Sequence, residues 1–346
     1  MPISMNTLVG PAVVREQSGG PTMRAIVLDG FGGLDVLTHV EIPKPLPVIG
    51  EVVIRVKGFG INHAEMHMRR GEWAEAAEVS GIECVGVVDA CPGGEFPIGA
   101  KVAALMGGLG RTVNGSYAEF TRVRAENVAL VESDLPWGQL ATLPETYATA
   151  WTCLFRNLKV SAGQTVVIRG ATSSFGQAAV KLAVDADARV IATTRSRSRF
   201  GMLTDLGAVR AELEVPDLGV RIAETKQVDG VLDLVGNSTI LDSLDMLRRG
   251  GTACLAGWLG GLDPIPDFNP LLRMASGVNL NFFGSFVFGN PRFPLSDVPL
   301  QDIADKVHDG RLDARPSHVF SFDEIREAHR VMEAGTAGGK MVVVLD

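Results

Sequence analysis

The 346-residue sequence lacks the features that mark zinc ribbons, nucleic-acid binding and redox-active disulfides. Its four cysteines (Cys84, Cys91, Cys153 and Cys254) contain no C-x-x-C pair, which excludes a zinc ribbon and a thioredoxin-like motif. We therefore expect free cysteines in a reducing compartment. The sequence has 32 Lys and Arg and 40 Asp and Glu, so its net charge is −8. This negative charge does not favour nucleic acid or an anionic membrane as a partner.

Long apolar runs are also missing. The longest uncharged stretch, Met274–Pro291, is interrupted by serine and asparagine, so no membrane span is expected. The apolar part of residues 1–22 is too short and too broken for a signal peptide, and we interpret these residues as a flexible N-terminal extension. A cytoplasmic protein is expected.

What the sequence does contain indicates two domains, since 346 residues exceed the size of one hydrophobic core. Residues 23–144 consist of short β-rich runs separated by glycine and proline, the pattern of an antiparallel β domain. Residues 145–290 alternate apolar strands with helices, which indicates βαβ units and a parallel sheet. Within them we expect a helix over 239–250 and a strand over 252–257. Residues 291–346 add two helices and a last strand that should return to the first domain.

The segment VVIRGATSSFGQAAVKLA predicts a strand, a tight turn and a helix. Gly170, Ser173 and Gly176 occupy the small-residue positions of a dinucleotide fingerprint, which allow a tight turn and close approach of the pyrophosphate. The N-terminus of the helix would offer N–H groups to the phosphates. Serine at position 173 is compatible because its hydroxyl can also donate to phosphate. A plain structural turn is the alternative interpretation.

The second strand of this unit ends in ATTRSRSR, without the carboxylate that usually bonds the 2′-hydroxyl of NAD. Arg195, Arg197 and Arg199 follow instead, and guanidinium groups suit the 2′-phosphate of NADPH. A solvated basic helix start is the alternative, but a helix dipole disfavours positive charge there. The sequence therefore favours NADPH.

These motifs resemble the medium-chain dehydrogenase/reductase superfamily. LPETYATAWTCLF, TVVIRGATSSFGQAAVKLA and VDGVLDLVGNSTILDSL resemble its cofactor domain, and GINHAEMHMRRG, GIECVGVVDA and GSYAEF resemble its GroES-like catalytic domain. The resemblance extends from Met23 to the last residue, in the family's order. It implies an α/β protein, with a Rossmann doubly wound parallel sheet plus a GroES-like antiparallel β domain and the nicotinamide in a cleft between them.

Within the superfamily, the resemblance is to the quinone oxidoreductase-like branch. Zinc alcohol dehydrogenases carry metal ligands where this sequence has Asn62, Ile82 and Glu145, and their four-cysteine structural loop is absent here. The quinone oxidoreductase-like branch has asparagine at position 62. It implies an NADPH-dependent reductase of quinones or α,β-unsaturated carbonyl compounds, without zinc. A zinc-type alcohol dehydrogenase relative and a non-catalytic NADPH-binding protein are the alternatives.

The resemblance also implies the site residues. Asn62 and Thr149 correspond to contacts near the nicotinamide. A tyrosine on the adenosine side is replaced near Glu214, and two pocket tyrosines become His67 and Trp73. The remaining implied cofactor contacts are at the phosphates, the ribose and the strand that closes the site: Ser173, Ser174, Phe175, Gly176, Arg195, Arg199, Val235, Gly236, Asn237, Phe283 and Gly284.

The catalytic candidates are Asn62 and His67, because hydride transfer itself is the cofactor's chemistry. Asn62 could orient the carboxamide or the substrate oxygen. His67 is a candidate proton donor since histidine titrates near neutral pH, and an ordinary surface or pocket-wall histidine is the alternative. His63 and His67 could share a metal on a helix, but no third ligand is visible. Residues 278–284 indicate a sheet-edge strand, which together with the resemblance predicts a homodimer.

Overall fold

The computed structural model describes residues 20–346, which form two compact units. The first unit extends to Glu145 and takes in Phe286–His308 and Ala314–Asp346, and the second comprises Thr146–Ser285 with Asp309–Asp313. Most of the extension expected over residues 1–22 lies outside the described residues.

The first unit is built from antiparallel strands. Its elements up to the unit boundary are β1 (Thr22–Leu28), β2 (Leu37–Pro43), β3 (Glu51–Gly60), α1 (His63–Arg69), β4 (Glu83–Ala90), β5 (Lys101–Leu105), β6 (Phe120–Arg124), β7 (Val128–Leu130), α2 (Trp137–Leu140) and α3 (Pro144–Trp151). β1 pairs with β2, whereas β3 pairs with both β4 and β6, and β4 leads through β5 to β7. The apolar residues that alternate along these strands, such as Ile54 and Phe59, are fully buried in one core.

The second unit contains a six-stranded parallel sheet. After a π-helical turn (Thr152–Asn157), its elements are β8 (Thr165–Arg169), α4 (Ser174–Asp185), β9 (Arg189–Thr194), α5 (Phe200–Asp205), β10 (Arg210–Leu213), α6 (Leu218–Arg221), β11 (Val228–Asp233), α7 (Ile240–Met246), β12 (Leu247–Leu255), α8 (Pro270–Arg273) and β13 (Asn279–Phe282). The strand order is β10-β9-β8-β11-β12-β13. The order reverses between β8 and β11, and the carboxyl ends at such a point are where doubly wound sheets bind ligands. The predicted doubly wound fold is confirmed.

The remaining elements complete the first unit. They are α9 (Leu300–His308), β14 (His318–Ser321), α10 (Ile325–Glu333) and β15 (Met341–Val344). β15 is antiparallel to β3, with Val342 opposite Gly60, and it is parallel to β14. In the described part of the chain, no helix is both long enough and apolar enough to span a bilayer.

One predicted element differs from the structure. The helix expected over 239–250 ends at Met246, and β12 begins at Leu247, five residues before the expected strand. Leu247 lies opposite Val228 in β11, and Arg248 Nε donates to the Asp229 carboxylate at 2.6 Å. Pairing with the neighbouring strand therefore outweighs the helical propensity of the sequence.

Candidate functional site

The glycine-rich turn between β8 and α4 has the geometry of a phosphate cradle. Gly170 has φ = +74°, a conformation that favours glycine. A Cβ on Gly176 would lie 2.5 Å from the Gly170 carbonyl oxygen and 2.6 Å from Ala171 Cα, so no side chain fits there. The first turn of α4 therefore packs directly against the backbone of Gly170 and Ala171, the close packing that the third small residue of the fingerprint allows.

Ser173 shapes this turn from within. Its Oγ accepts from the Gly176 N–H at 3.0 Å and donates to the Gly170 carbonyl at 2.9 Å. The hydroxyl proton that the sequence suggested for a phosphate is thus used inside the turn. Because the first N–H groups of a helix have no intrahelical acceptor, those of Ser174 and Phe175 are the donors left for a ligand.

The end of β9 presents the predicted arginines. Arg195 is exposed and directly follows the buried Thr194, and Arg199 is partly exposed at the end of the 3-10 turn Arg197–Arg199 that precedes α5. Among residues 20–346, neither arginine forms an ion pair. The guanidinium of Arg197 instead lies 5.7 Å from the centroid of the Phe200 ring. The segment after β9 therefore carries two guanidinium groups without an ion-pair partner among the described residues.

The carboxylate of Glu214 lies near the end of β9, a role that the sequence did not predict for it. Glu214 follows β10, and its N–H donates to the Thr194 carbonyl at 2.8 Å. Its Oε2 accepts from Thr193 Oγ1 at 2.7 Å, and both of its oxygens accept from the guanidinium of Arg169. The strand end lacks an acid in its own sequence, but the neighbouring strand supplies one.

Arg169 is a buried cation at the end of β8, with 1% of its surface exposed. Besides Glu214, its guanidinium contacts Asp242 at 2.7 Å and the Ser243 hydroxyl at 3.0 Å. Burial by itself lowers the pKa of Arg169, but the hydrogen bond and charge of Glu214, with the charges of Asp233 and Asp242, raise it overall. The guanidinium of Arg169 therefore stays protonated and buried at the carboxyl end of β8.

Asp233, at the end of β11, holds the loop that contains the predicted cofactor contacts Val235 and Gly236. Its Oδ1 accepts from the N–H groups of Val235 and Gly236 at 3.0 and 2.9 Å, and both oxygens accept from Thr239. The side chain is fully buried, and burial raises its pKa. The loop that carries Val235 and Gly236 is thus fixed by a carboxylate beneath it.

The other predicted contacts of the second unit are positioned as follows. Asn237 Nδ2 donates to the Asp263 carbonyl at 2.9 Å. Phe283 is buried, its N–H donates to a carbonyl at the end of β12 at 2.9 Å, and Gly284 follows it. Thr149 is buried in α3. Because the strands are parallel, these segments all lie at the carboxyl ends of the strands, on one side of the sheet. They are the turn after β8, the arginines after β9, the loop after β11 and the end of β13.

In the first unit, Asn62 lies within a buried polar cluster. Its Nδ2 donates to Glu83 Oε1 at 2.9 Å and to Glu65 Oε1 at 3.3 Å, while its Oδ1 accepts from Lys340 Nζ at 2.7 Å. Lys340 also pairs with Glu83, and their side chains are 6% and 0% exposed. Glu83 Oε2 accepts from the Glu145 N–H at 2.7 Å. An ammonium beside Oδ1 fixes which way the amide points.

Glu65 is the second buried carboxylate of this cluster. It accepts from the Asn62 N–H at 2.8 Å and from the Ile82 N–H at 3.2 Å. Burial raises the pKa of Glu65 to about 7, against the opposing charge of Lys340. These bonds join the N-terminus of α1 to the start of β4.

His67 lies on α1, where its Nδ1 contacts the Glu72 carboxylate. Its ring is stacked on that of Trp73, with centroids 5.8 Å apart and planes inclined by 7°. His63 and His67 are both on α1, as their spacing suggested. Within residues 20–346, no group of three or more His, Cys, Asp or Glu side chains could hold a metal ion.

Five residues of these clusters were not identified from the sequence as charged partners: Glu83, Arg169, Glu214, Asp233 and Lys340. Four of them, all but Glu214, are buried within or directly beside apolar strands, where charged residues are rarely buried unless they are paired. That pattern is a usable signal for buried ion pairs, although it does not identify the partners.

A parallel doubly wound sheet with a glycine turn, together with an antiparallel β unit, defines a dinucleotide-binding protein of two domains. Two domain families match the chain. The family described as alcohol dehydrogenase GroES-like domain matches residues 49–133, and the family described as zinc-binding dehydrogenase matches residues 207–343.

Similar proteins agree with these matches. A "Probable quinone oxidoreductase" of Schizosaccharomyces pombe is 29% identical over 319 residues, covering 90% of this chain and 93% of that protein. A human "Quinone oxidoreductase" is 24% identical over 345 residues, covering 95% and 99%. Among solved structures, a mycobacterial protein complexed with NADPH has a TM-score of 0.79 at 26% identity, covering 93% and 100%. An NAD-dependent alcohol dehydrogenase has the same score and identity, covering 94% and 100%.

The chain therefore belongs to the medium-chain dehydrogenase/reductase superfamily and groups with its quinone oxidoreductases. It is an oxidoreductase that binds a nicotinamide cofactor. The resemblance inferred from the sequence motifs is confirmed.

Proposed function

We propose that this protein is an NADPH-dependent reductase that transfers hydride to a quinone or an α,β-unsaturated carbonyl compound, without zinc. The observation that carries the choice of NADPH is the pair of unpaired arginines, Arg195 and Arg199, at the end of β9. A guanidinium forms strong charge-assisted bonds to a phosphate and gains much less from a neutral ribose hydroxyl.

The residues of the second unit fit such a cofactor. The turn between β8 and α4 suits a pyrophosphate, because it leads into the N-terminus of a helix where the N–H groups of Ser174 and Phe175 are available as donors. The loop after β11, which Asp233 fixes, carries Val235, Gly236 and Asn237 at the same carboxyl ends of the strands. When bound, NADPH supplies the hydride that reduces the acceptor.

Asn62 is assigned the role of orienting the nicotinamide carboxamide. Its Nδ2 is committed to Glu83 and Glu65, and one lone pair of its Oδ1 is used by Lys340. What Asn62 has left is acceptor capacity on Oδ1, which suits an amide N–H better than a substrate oxygen. His67 is kept as the candidate proton donor because histidine titrates near neutral pH, and the contact of its Nδ1 with Glu72 orients the ring.

The donor set does not fit a catalytic zinc ion. Ile82 has no ligand atom, and Asn62 is held by its own partners. We expect well under one zinc per chain in elemental analysis of protein purified without a metal-affinity tag. Stoichiometric zinc whose chelation abolishes activity would contradict this part of the proposal.

Cofactor choice is tested by the Arg195→Ala variant. Losing one charge-assisted bond costs about 1.5–3 kcal/mol, so the Kd for NADPH should rise about ten- to a hundredfold while that for NADH stays nearly constant. Fluorescence titration of both nucleotides gives the two constants. Arg197→Ala is the matched control, because Arg197 lies over Phe200 and should leave both unchanged. Equal binding of NADH and NADPH by the wild type would refute the choice of cofactor.

Substrate class is tested by NADPH consumption with a panel of quinones and enones. A protein that binds NADPH but reduces none of them would be a binding protein instead of a reductase.

We also propose a homodimer, because β13 is an edge strand of its sheet and Phe282 on it is 62% exposed. Light scattering at micromolar concentration measures the mass, and a monomer would contradict the dimer.

A further inference from the structure

Glu214 and Arg195 leave adjacent parallel strands side by side. In the register of β10 and β9, Leu213 lies opposite Thr194, and each of the two charged residues is the next in its chain. The Glu214 N–H donates to the Thr194 carbonyl at 2.8 Å, which ties the two strand ends together. Opposite charges placed in this way would ordinarily form an ion pair.

Glu214 is paired elsewhere. Its carboxylate meets the guanidinium of Arg169 in a two-pronged contact, with Nε to Oε2 at 3.2 Å, and accepts from Thr193 Oγ1 at 2.7 Å. Thr193 Oγ1 also accepts from the Gly170 N–H at 3.2 Å, so this carboxylate adjoins the phosphate turn. Arg195 forms no ion pair among the residues that the structure describes.

We propose that Arg169 is a specificity-determining residue that holds the Glu214 carboxylate away from Arg195 and from the ribose. Arg169 thereby leaves Arg195 available to the 2′-phosphate of NADPH. This inference rests on the proposed use of NADPH and names a residue that no nucleotide needs to touch.

The Arg169 side chain is itself fixed in position, so it can hold the Glu214 carboxylate. Its side chain is 1% exposed, and Asp242 and Ser243 hold its other nitrogen at 2.7 and 3.0 Å. A carboxylate released from it would pair with Arg195 and would repel a dianionic phosphate. The same carboxylate could then accept from a free 2′-hydroxyl, as the acid of an NAD site does.

The decisive variant is Arg169→Met, assayed by fluorescence titration with each nucleotide separately. We expect the Kd for NADPH to rise about tenfold and the Kd for NADH to stay or fall, because the released carboxylate competes for Arg195. In the double variant Arg169→Met/Glu214→Gln no carboxylate is released, so NADPH binding should return to within about threefold of the wild type. A double variant as weak as Arg169→Met would overturn the proposal.

Glu214→Gln alone gives an independent test. We expect NADPH binding to be kept or tightened by up to about threefold, and NADH binding to stay constant. If NADH weakened selectively, Glu214 would be a ribose ligand and the proposal would be wrong. Glu212→Gln is the matched control, since Glu212 lies on the same strand and pairs with Arg210 at 2.6 Å; it should change neither constant.

Circular dichroism checks that each variant is folded. Should Arg169→Met fail to fold, Arg169→Lys keeps the buried charge but only part of the two-pronged contact. The ratio of the NADH to the NADPH constant should then fall by about threefold, and an unchanged ratio would refute the proposal. The wild-type ratio tests the use of NADPH, whereas the change of the ratio tests Arg169, so the two failures are distinguishable.

Discussion

Replacing Lys340 with methionine should destabilise the first unit by about 3–5 kcal/mol, because it leaves a buried carboxylate without its cation. The side chains of Lys340 and Glu83 are 6% and 0% exposed, so water cannot compensate the lost charge. Lys340 also donates to Asn62 Oδ1 at 2.7 Å, and that bond is lost as well. Methionine keeps the length of the stem, so a cavity contributes little to the change.

Urea unfolding at pH 7 measures this free energy. Because part of the cost comes from the unpaired charge, Lys340→Met/Glu83→Gln should be at least about 2 kcal/mol more stable than the sum of the single variants predicts. Arg330→Met is the control: its pair with Glu327 on the surface of α10, at 2.7 Å, should be worth less than about 0.5 kcal/mol. A loss below about 1 kcal/mol in Lys340→Met would refute the buried pair.

Three further outcomes are expected. Gly176→Ala should weaken NADPH binding more than about tenfold in titration, since its Cβ would meet the Gly170 carbonyl oxygen at 2.5 Å and distort the turn; unchanged affinity would contradict a role of this turn in binding. Burial lowers the pKa of His329 to about 3 from 6.5, so its contribution to stability is complete above pH 6.5 and is lost as pH falls toward 3. His329→Phe should flatten that acid-side loss in urea unfolding, and an unchanged slope would count against it. Phe282→Lys should convert the proposed dimer into monomers in light scattering, with wild-type mass as the failing result.

The glycine turn could be predicted from the sequence because its requirements are local. Gly170 needs its left-handed backbone and Gly176 its lack of a Cβ, and both demands are visible within seven residues. The arginines after β9 were predictable for the same reason, since they follow an apolar strand directly.

The partners of those residues were not predictable. Lys340 and Asn62 are 278 positions apart, and only strand pairing of β15 with β3 brings them together. Glu214 reaches the end of β9 through the register of two parallel strands, which no local pattern encodes. The early end of α7 has the same cause. Pairing of β12 with β11 ends the helix at Met246, whereas local helix propensity predicted that it would continue to residue 250.

The order of the elements along the chain has a consequence for synthesis. Nearly all of the second unit, Thr146–Ser285, is continuous in the chain, so nearly all of its internal contacts are available once these residues have emerged from the ribosome. The first unit must wait, because β3 keeps an open edge until β15 arrives. Until then Glu83 lacks its cation and Asn62 its ammonium donor. The first unit, whose N-terminal part is synthesised first, is therefore completed last, and premature termination before Lys340 would leave it without β15.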